Sequence, residues 1–177
     1  MKAIVLYLVA SVLSLTLISS AQAVTTTGQM TANLVLTSSC EVNGTSGASG
    51  LNFGVLSFGT LPALFGTATG QVLGGGGGAL SILCSSGTTP SVQVRAGSHD
   101  GQVTGGTRAL ADGAGNFVAY DLFLDAGFSQ LLAIDGVITL APSTGVAQTV
   151  NIYGRALGAP GLPAGTYTDT VAVELTF

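Results

Sequence analysis

Thr170-Val171-Ala172-Val173-Glu174-Leu175-Thr176-Phe177 places Val171, Val173, Leu175 and Phe177 on one side of an extended backbone and Thr170, Ala172, Glu174 and Thr176 on the other. Side chains alternate with a period of two only along a β-strand, so the stretch reads as a half-buried strand. It runs to the last residue without a tail and is expected to be an edge that another chain pairs. The same period recurs upstream. Met30, Ala32, Leu34 and Leu36 alternate with Thr31, Asn33 and Thr37; Val92 and Val94 with Gln93 and Arg95; Val118, Tyr120, Leu122 and Leu124 with Ala119, Asp121 and Phe123; Val150 and Ile152 with Thr149, Asn151 and Tyr153. Residues 51–58 and 80–84 are expected to add two strands and residues 131–140 a hairpin. Turn clusters separate these runs, among them Asn43-Gly44, Ser85-Ser86-Gly87, Asp112-Gly113-Ala114-Gly115-Asn116 and Pro163-Ala164-Gly165. Many short strands at this spacing predict an all-β sandwich in one domain.

Composition supports the reading. Only 7% of the chain is charged and 47% is hydrophobic, with 27 glycines; a disordered chain has the opposite balance. After residue 23 there is no Lys and there are only two Glu, while Val, Thr and Gly abound, which disfavours helices.

The chain opens like an exported protein. Lys2 supplies a positive n-region, residues 4–18 an apolar h-region and Ala21-Gln22-Ala23 a small-residue cleavage site, so residues 1–23 read as a signal peptide. The apolar run is short for a bilayer, and no later segment reaches about 18 uncharged apolar residues, so no membrane insertion is expected. From Val24 onward Arg95, Arg108 and Arg155 face eight Asp and Glu, a net charge of −5. Such a surface has nothing to offer a phosphate backbone, which excludes nucleic acid as a partner. Cys40 and Cys84 are the only cysteines. In an oxidising compartment one disulfide is expected; two buried thiols fit less well, and a metal pair less well still, because only His99 is present to join the sulfurs.

Residue types with catalytic potential occur without a catalytic arrangement. Ser98-His99-Asp100 are consecutive, and successive side chains of an extended segment point apart, so a polar loop is expected. Asp121 and Asp125 share a strand face about 13 Å apart and read as two solvated charges. Asp112 to Asn116 lacks the spaced carboxylates of a calcium loop and reads as a hairpin turn. The glycine run 74–78 is followed by no Lys-Ser/Thr and reads as a flexible connection rather than a phosphate loop. No catalytic residue, metal ligand or cofactor site is expected, and the protein is not expected to be an enzyme.

Five stretches resemble the spore coat protein U domain family, which includes the archaic, Csu-type chaperone-usher pilins. They are Thr37-Ser38-Ser39-Cys40-Glu41-Val42-Asn43, Leu83-Cys84-Ser85-Ser86-Gly87-Thr88-Thr89-Pro90, Tyr120-Asp121-Leu122-Phe123-Leu124-Asp125, Ile152-Tyr153-Gly154-Arg155 and Pro163-Ala164-Gly165-Thr166-Tyr167-Thr168-Asp169-Thr170-Val171. The resemblance implies an immunoglobulin-like β-sandwich that lacks its last strand and is completed by a donor strand. It implies a disulfide between Cys40 and Cys84, a groove bordered by Val171, Val173, Leu175 and Phe177, and donor side chains Met30, Ala32, Leu34 and Leu36. It implies as partners a periplasmic chaperone, an outer-membrane usher and neighbouring pilus subunits, with export through the periplasm to a cell-surface pilus that supports adhesion and biofilm formation. The implied organisation is a signal peptide at 1–23, a donor-strand extension at 24–37 and a pilin-type domain at 38–177, in a shaft or adaptor role. The glycine run 74–78 and the apolar stretch 131–140 depart from the family's expected pattern. The alternative is a self-contained secreted sandwich acting as a spore-coat or glycan-binding surface protein, with residues 28–36 paired into its own sheet.

Overall fold

The computed structural model describes residues 22–177, so the expected signal peptide lies, but for its last two residues, outside the described residues. Described residues contain thirteen strands and no helix: β1 (Cys40–Val42), β2 (Thr45–Ser46), β3 (Val55–Leu56), β4 (Thr67–Leu73), β5 (Leu80–Cys84), β6 (Ser91–Gly97), β7 (Arg108–Ala111), β8 (Phe117–Phe123), β9 (Leu131–Leu132), β10 (Gly136–Thr139), β11 (Gln148–Val150), β12 (Tyr153–Leu157) and β13 (Val171–Thr176). They pair antiparallel in three sheets, ordered β11-β5-β1-β2, β10-β6-β13 and β3-β4-β12-β8-β7, with β9 on β8.

Alternation decides which faces meet. In β5, Leu80, Ile82 and Cys84 are buried while Ser81 and Leu83 stay half-exposed; in β6, Val92 and Val94 point inward. These residues share one core with Val42, Val118, Tyr120, Leu122, Val150, Ile152 and Ala156, drawn from all three sheets. Each large apolar side chain so buried stabilises the fold by about 1.5 to 3 kcal/mol. The all-β sandwich expected from the sequence is therefore present. Cys40 and Cys84 are register partners across β1 and β5 and are joined by a disulfide. The turn Asp112–Asn116 links the hairpin of β7 and β8 as expected, with the Asp112 carboxylate accepting from Ala114 N and Asn116 N.

Several expected elements form differently. Residues 22–39 contain no strand and are exposed, so the alternating stretch at Met30 to Leu36 is not a strand of the chain's own sheets. Within 51–58 only Val55–Leu56 is a strand. The single strand expected over 149–153 is two, because Val150 pairs with Leu80 whereas Tyr153 pairs with Gln71 and Phe123 of another sheet. Residues 131–140 are not a hairpin: β9 pairs with β8 and β10 with β6. A period of two reports that a segment is extended; it does not report its partner. The glycine run 74–78 is a hydrogen-bonded turn between β4 and β5, with Gly74 N donating to Gly78 O at 2.6 Å.

Periodicity also missed β4, whose sequence Thr-Ala-Thr-Gly-Gln-Val-Leu carries few apolar residues. Its Gly70 faces Gly154 of β12 in register. A Cβ on Gly154 would stand 3.0 Å from Leu56 Cδ1 and 3.1 Å from Phe58 Cζ, and one on Gly70 would meet the Ser57 carbonyl. The glycine pair thus lets the segment around β3 lie directly on the sheet. Gly154→Val is expected to push Leu56 and Phe58 off this seat and lower stability by about 1 to 3 kcal/mol, as overpacking does. Urea denaturation checks this, and an unchanged midpoint would show that the seat tolerates a side chain.

Candidate functional site: an uncovered groove beside β13

β13 is bonded on one side only: among the described residues its ladder partner is β6. Across from its free edge lies the irregular segment around β3, itself the edge of the third sheet. Between them runs an apolar groove. One part, about 580 Å³, is walled by Val171 and Val173 on one side and by Leu51, Phe53 and Val55 on the other. Its floor is the core residues Leu80, Val94, Leu122 and Ile152, with half-buried Val72 packed against them. A second part, about 680 Å³, continues between residues 57–65 and 162–169 over Ala68, Val118 and Ala156. The two share Val55, Leu56, Phe58, Leu110 and Asp169. Leu61, which lines the second part, is 44% exposed, so apolar surface of the groove faces solvent.

A polar cluster is set into this wall. The Asp169 carboxylate accepts from Ser98 N at 2.9 Å, His99 Nδ1 at 3.2 Å and the Tyr120 hydroxyl at 2.7 Å. Burial, reinforced by the hydrogen bond and negative charge of Asp169, pushes the Tyr120 phenol well above its ordinary value. Fully buried Arg108, opposite Tyr120 in the β7–β8 ladder, donates from Nη1 to the Arg95 carbonyl at 2.9 Å. His99 and Asp100, expected to lie in a polar loop, do sit in a turn, but they and Ser98 are engaged in holding it: Asp100 Oδ2 accepts from Gly97 N.

Asp121 and Asp125 are both tied to neighbouring backbone. Asp121 is not a solvated charge, because it is half-buried and accepts from Thr107 N and Oγ1 at 2.7 and 2.8 Å. Asp125 accepts from Gln130 N and from Ser129, and these bonds hold it below the usual carboxylate range.

Of the residues expected to border the groove, Val171 and Val173 line it, Leu175 is half-buried against the core, and Phe177 is 51% exposed beyond the end of β13. Of the expected donor side chains, Met30, Leu34 and Leu36 are 95%, 82% and 84% exposed, and Ala32 is exposed as well. Sequence reading missed the opposite wall, because residues 51–65 show no sustained alternation. It also missed Asp169, Tyr120 and Arg108 as a cluster, because Tyr120 and Asp169 lie 49 positions apart in sequence.

Fold and site together describe an all-β sandwich domain with an uncovered apolar groove. The chain belongs to the Spore Coat Protein U domain family, whose model matches residues 26–174. Among characterised proteins it is 27% identical over 173 residues to Protein U of Myxococcus xanthus, covering 93% of this chain and 92% of that one. Among solved structures, it aligns with a chain of the CsuC–CsuE chaperone–tip adhesion subunit pre-assembly complex from the archaic chaperone-usher Csu pili of Acinetobacter baumannii. That match has a TM-score of 0.47 and 18% identity, over 80% of this chain and 40% of that one.

The Tyr120–Asp169 contact has a consequence for pH. The folded phenol holds its proton to higher pH than the unfolded one, so above pH about 10 the unfolded chain binds fewer protons and stability falls as pH rises. Tyr120→Phe is expected to flatten that fall relative to the unaltered protein while leaving other tyrosines to contribute equally. Thermal midpoints from pH 8 to 11 check it; parallel curves would place the phenol's titration outside the folding equilibrium.

Proposed function

We propose that this chain is a structural subunit of a chaperone-usher surface pilus, polymerising by donor-strand complementation and supporting adhesion and biofilm formation. One observation carries the reading: a groove floored by core residues lies open beside a strand with a free edge. A strand added there gains main-chain hydrogen bonds along β13 and pockets for alternate side chains. The proposed donor is the N-terminal extension, residues 24–37, of a neighbouring subunit, with Met30, Ala32, Leu34 and Leu36 facing inward.

Lengths and energies support the fit. The floor runs from Ala68 to Val72 along β4, about 13 Å, with pocket space beyond both ends, and Met30 to Leu36 spans about 20 Å when extended. Burying three or four donor side chains at roughly 1.5 to 3 kcal/mol each contributes about 5 to 12 kcal/mol before ordering costs. Each backbone hydrogen bond adds about 1 kcal/mol net. Donor and groove are different surfaces, so the contact is heterologous and builds an open filament.

The same groove makes the lone subunit a hazard, because an unpaired edge over apolar floor invites indiscriminate pairing. A periplasmic chaperone that occupies it until an outer-membrane usher exchanges it for the next subunit answers that need. The reading takes the protein through the periplasm to the cell surface, and it assigns no catalytic role. The family's description favours a second reading, a spore-coat component; a self-contained sandwich of that kind leaves the open groove unexplained.

Deleting residues 24–36 is expected to leave a folded, chaperone-bound subunit that accepts a donor but cannot be one, and Leu34→Asp should act alike by placing a charge in an apolar groove. Electron microscopy of cells expressing each variant together with its chaperone and usher checks both. Fibres of normal length from either variant would overturn the donor assignment.

A further inference from the structure

The groove wall changes sheet once along its length. Thr168 and Ala111 of β7 exchange backbone hydrogen bonds of 2.9 Å in both directions, and three residues later Val171 faces Gly97 of β6. Asp169 stands at this crossover with its side chain 1% exposed. A carboxylate only accepts, so each bond to it names a donor: Ser98 N and His99 Nδ1 from the end of β6, and the Tyr120 hydroxyl from β8 in the opposing sheet. Ser98 Oγ adds a bond to the Thr170 carbonyl at 3.3 Å. One buried anion therefore ties the wall to both layers of the sandwich at the point shared by the two halves of the groove.

The neighbouring backbone is shaped to admit it. A Cβ on Gly97 would collide with Asp169 Oδ2 and stand 2.9 Å from Asp100 Oδ1, so only glycine lets both carboxylates approach. Between Val171 and Val173 of β13 the register jumps from Gly97 to Val94 of β6, so the two strands are out of step by one residue there. The Arg95 carbonyl inside this bulge is the one that Arg108 satisfies. A bulge bends its strand and re-aims the residues beyond it.

We propose that Asp169, held by Tyr120 and His99, is the positioning residue of the groove: it fixes the crossover so that the groove between β13 and the opposite wall stays open before any strand arrives. The proposal rests on reading the groove as a strand acceptor. With no strand on its free side, the wall has an incentive to fold onto the floor, since closure buries apolar surface. An acceptor that is open only part of the time binds more weakly by the fraction open. The pin keeps that fraction high.

A fluorescent peptide of residues 24–37, titrated against the full chain by anisotropy, tests this alongside amide exchange followed by mass spectrometry. Unaltered protein is expected to bind the peptide. Tyr120→Phe, which removes a single hydroxyl, and Asp169→Asn are both expected to bind about tenfold more weakly, the scale of one lost charge-assisted bond. Exchange in residues 168–173 should quicken while β5 and β12 keep their rates. Binding of Tyr120→Phe at full strength, or exchange quickened evenly throughout, overturns the pin and leaves the acceptor reading intact. Failure of the unaltered chain to bind the peptide overturns both.

Discussion

Among the described residues the backbone of β13 has a ladder partner on one side only, and Val171 and Val173 share a groove with Val72, Leu80, Leu122 and Ile152. An open strand edge invites pairing and apolar surface favours being covered, and among the described residues β13 has a ladder on its β6 side alone. Everything around it is arranged so that the groove persists. The opposite wall is seated on the glycine pair Gly70 and Gly154, which brings Leu56 and Phe58 close to the sheet. Leu80, Ile82, Val92 and Val94, all with 1% exposure or less, keep the floor rigid beneath it.

That rigidity comes from elements remote from the groove. The disulfide closes β1 onto β5, its cysteines separated by 44 positions in sequence. Restricting the unfolded chain over a loop of that length is worth roughly 4 kcal/mol in the chain-entropy account. An apolar groove left open forgoes burial, and a covalent staple between β1 and β5 offsets part of that loss. The surface ion pairs of Arg95 with Asp135 and Glu174, at 3.1 and 3.2 Å, are too exposed to make up such a deficit.

Legibility in the sequence depended on which interactions are local. Alternation identified β5, β6, β8 and β13, because a half-buried strand writes its own burial pattern into consecutive residues. It missed β4, where Gly70 is required by a neighbour and not by the strand, and it joined β11 to β12, because the switch of partners at residues 151–152 leaves the period intact. The two cysteines paired as exported cysteines do. The groove itself was legible only on its β13 side. Its other wall, residues 51–65, is positioned by the surface it lies on, and the Asp169 cluster gathers residues separated by 49 and 70 positions, a distance over which no local pattern exists.

The N-terminal residues present the complementary problem. From Val24 to Ser39 the chain has no charged side chain, is rich in Thr, and alternates through Met30, Ala32, Leu34 and Leu36, yet it forms no strand and is exposed. An uncharged, β-prone segment without a partner carries the signature of self-association. A lone alternating strand is not stable in water, since it has spent backbone entropy without burying a face. Its composition makes sense where a sheet edge and an apolar floor wait together. In the proposed assembly each liability removes the other: the segment acquires its ladder from β13, and the floor acquires its cover from the segment. Because both belong to one chain but to different surfaces, satisfying them within a single copy is not required, and satisfying them between copies has no natural stopping point.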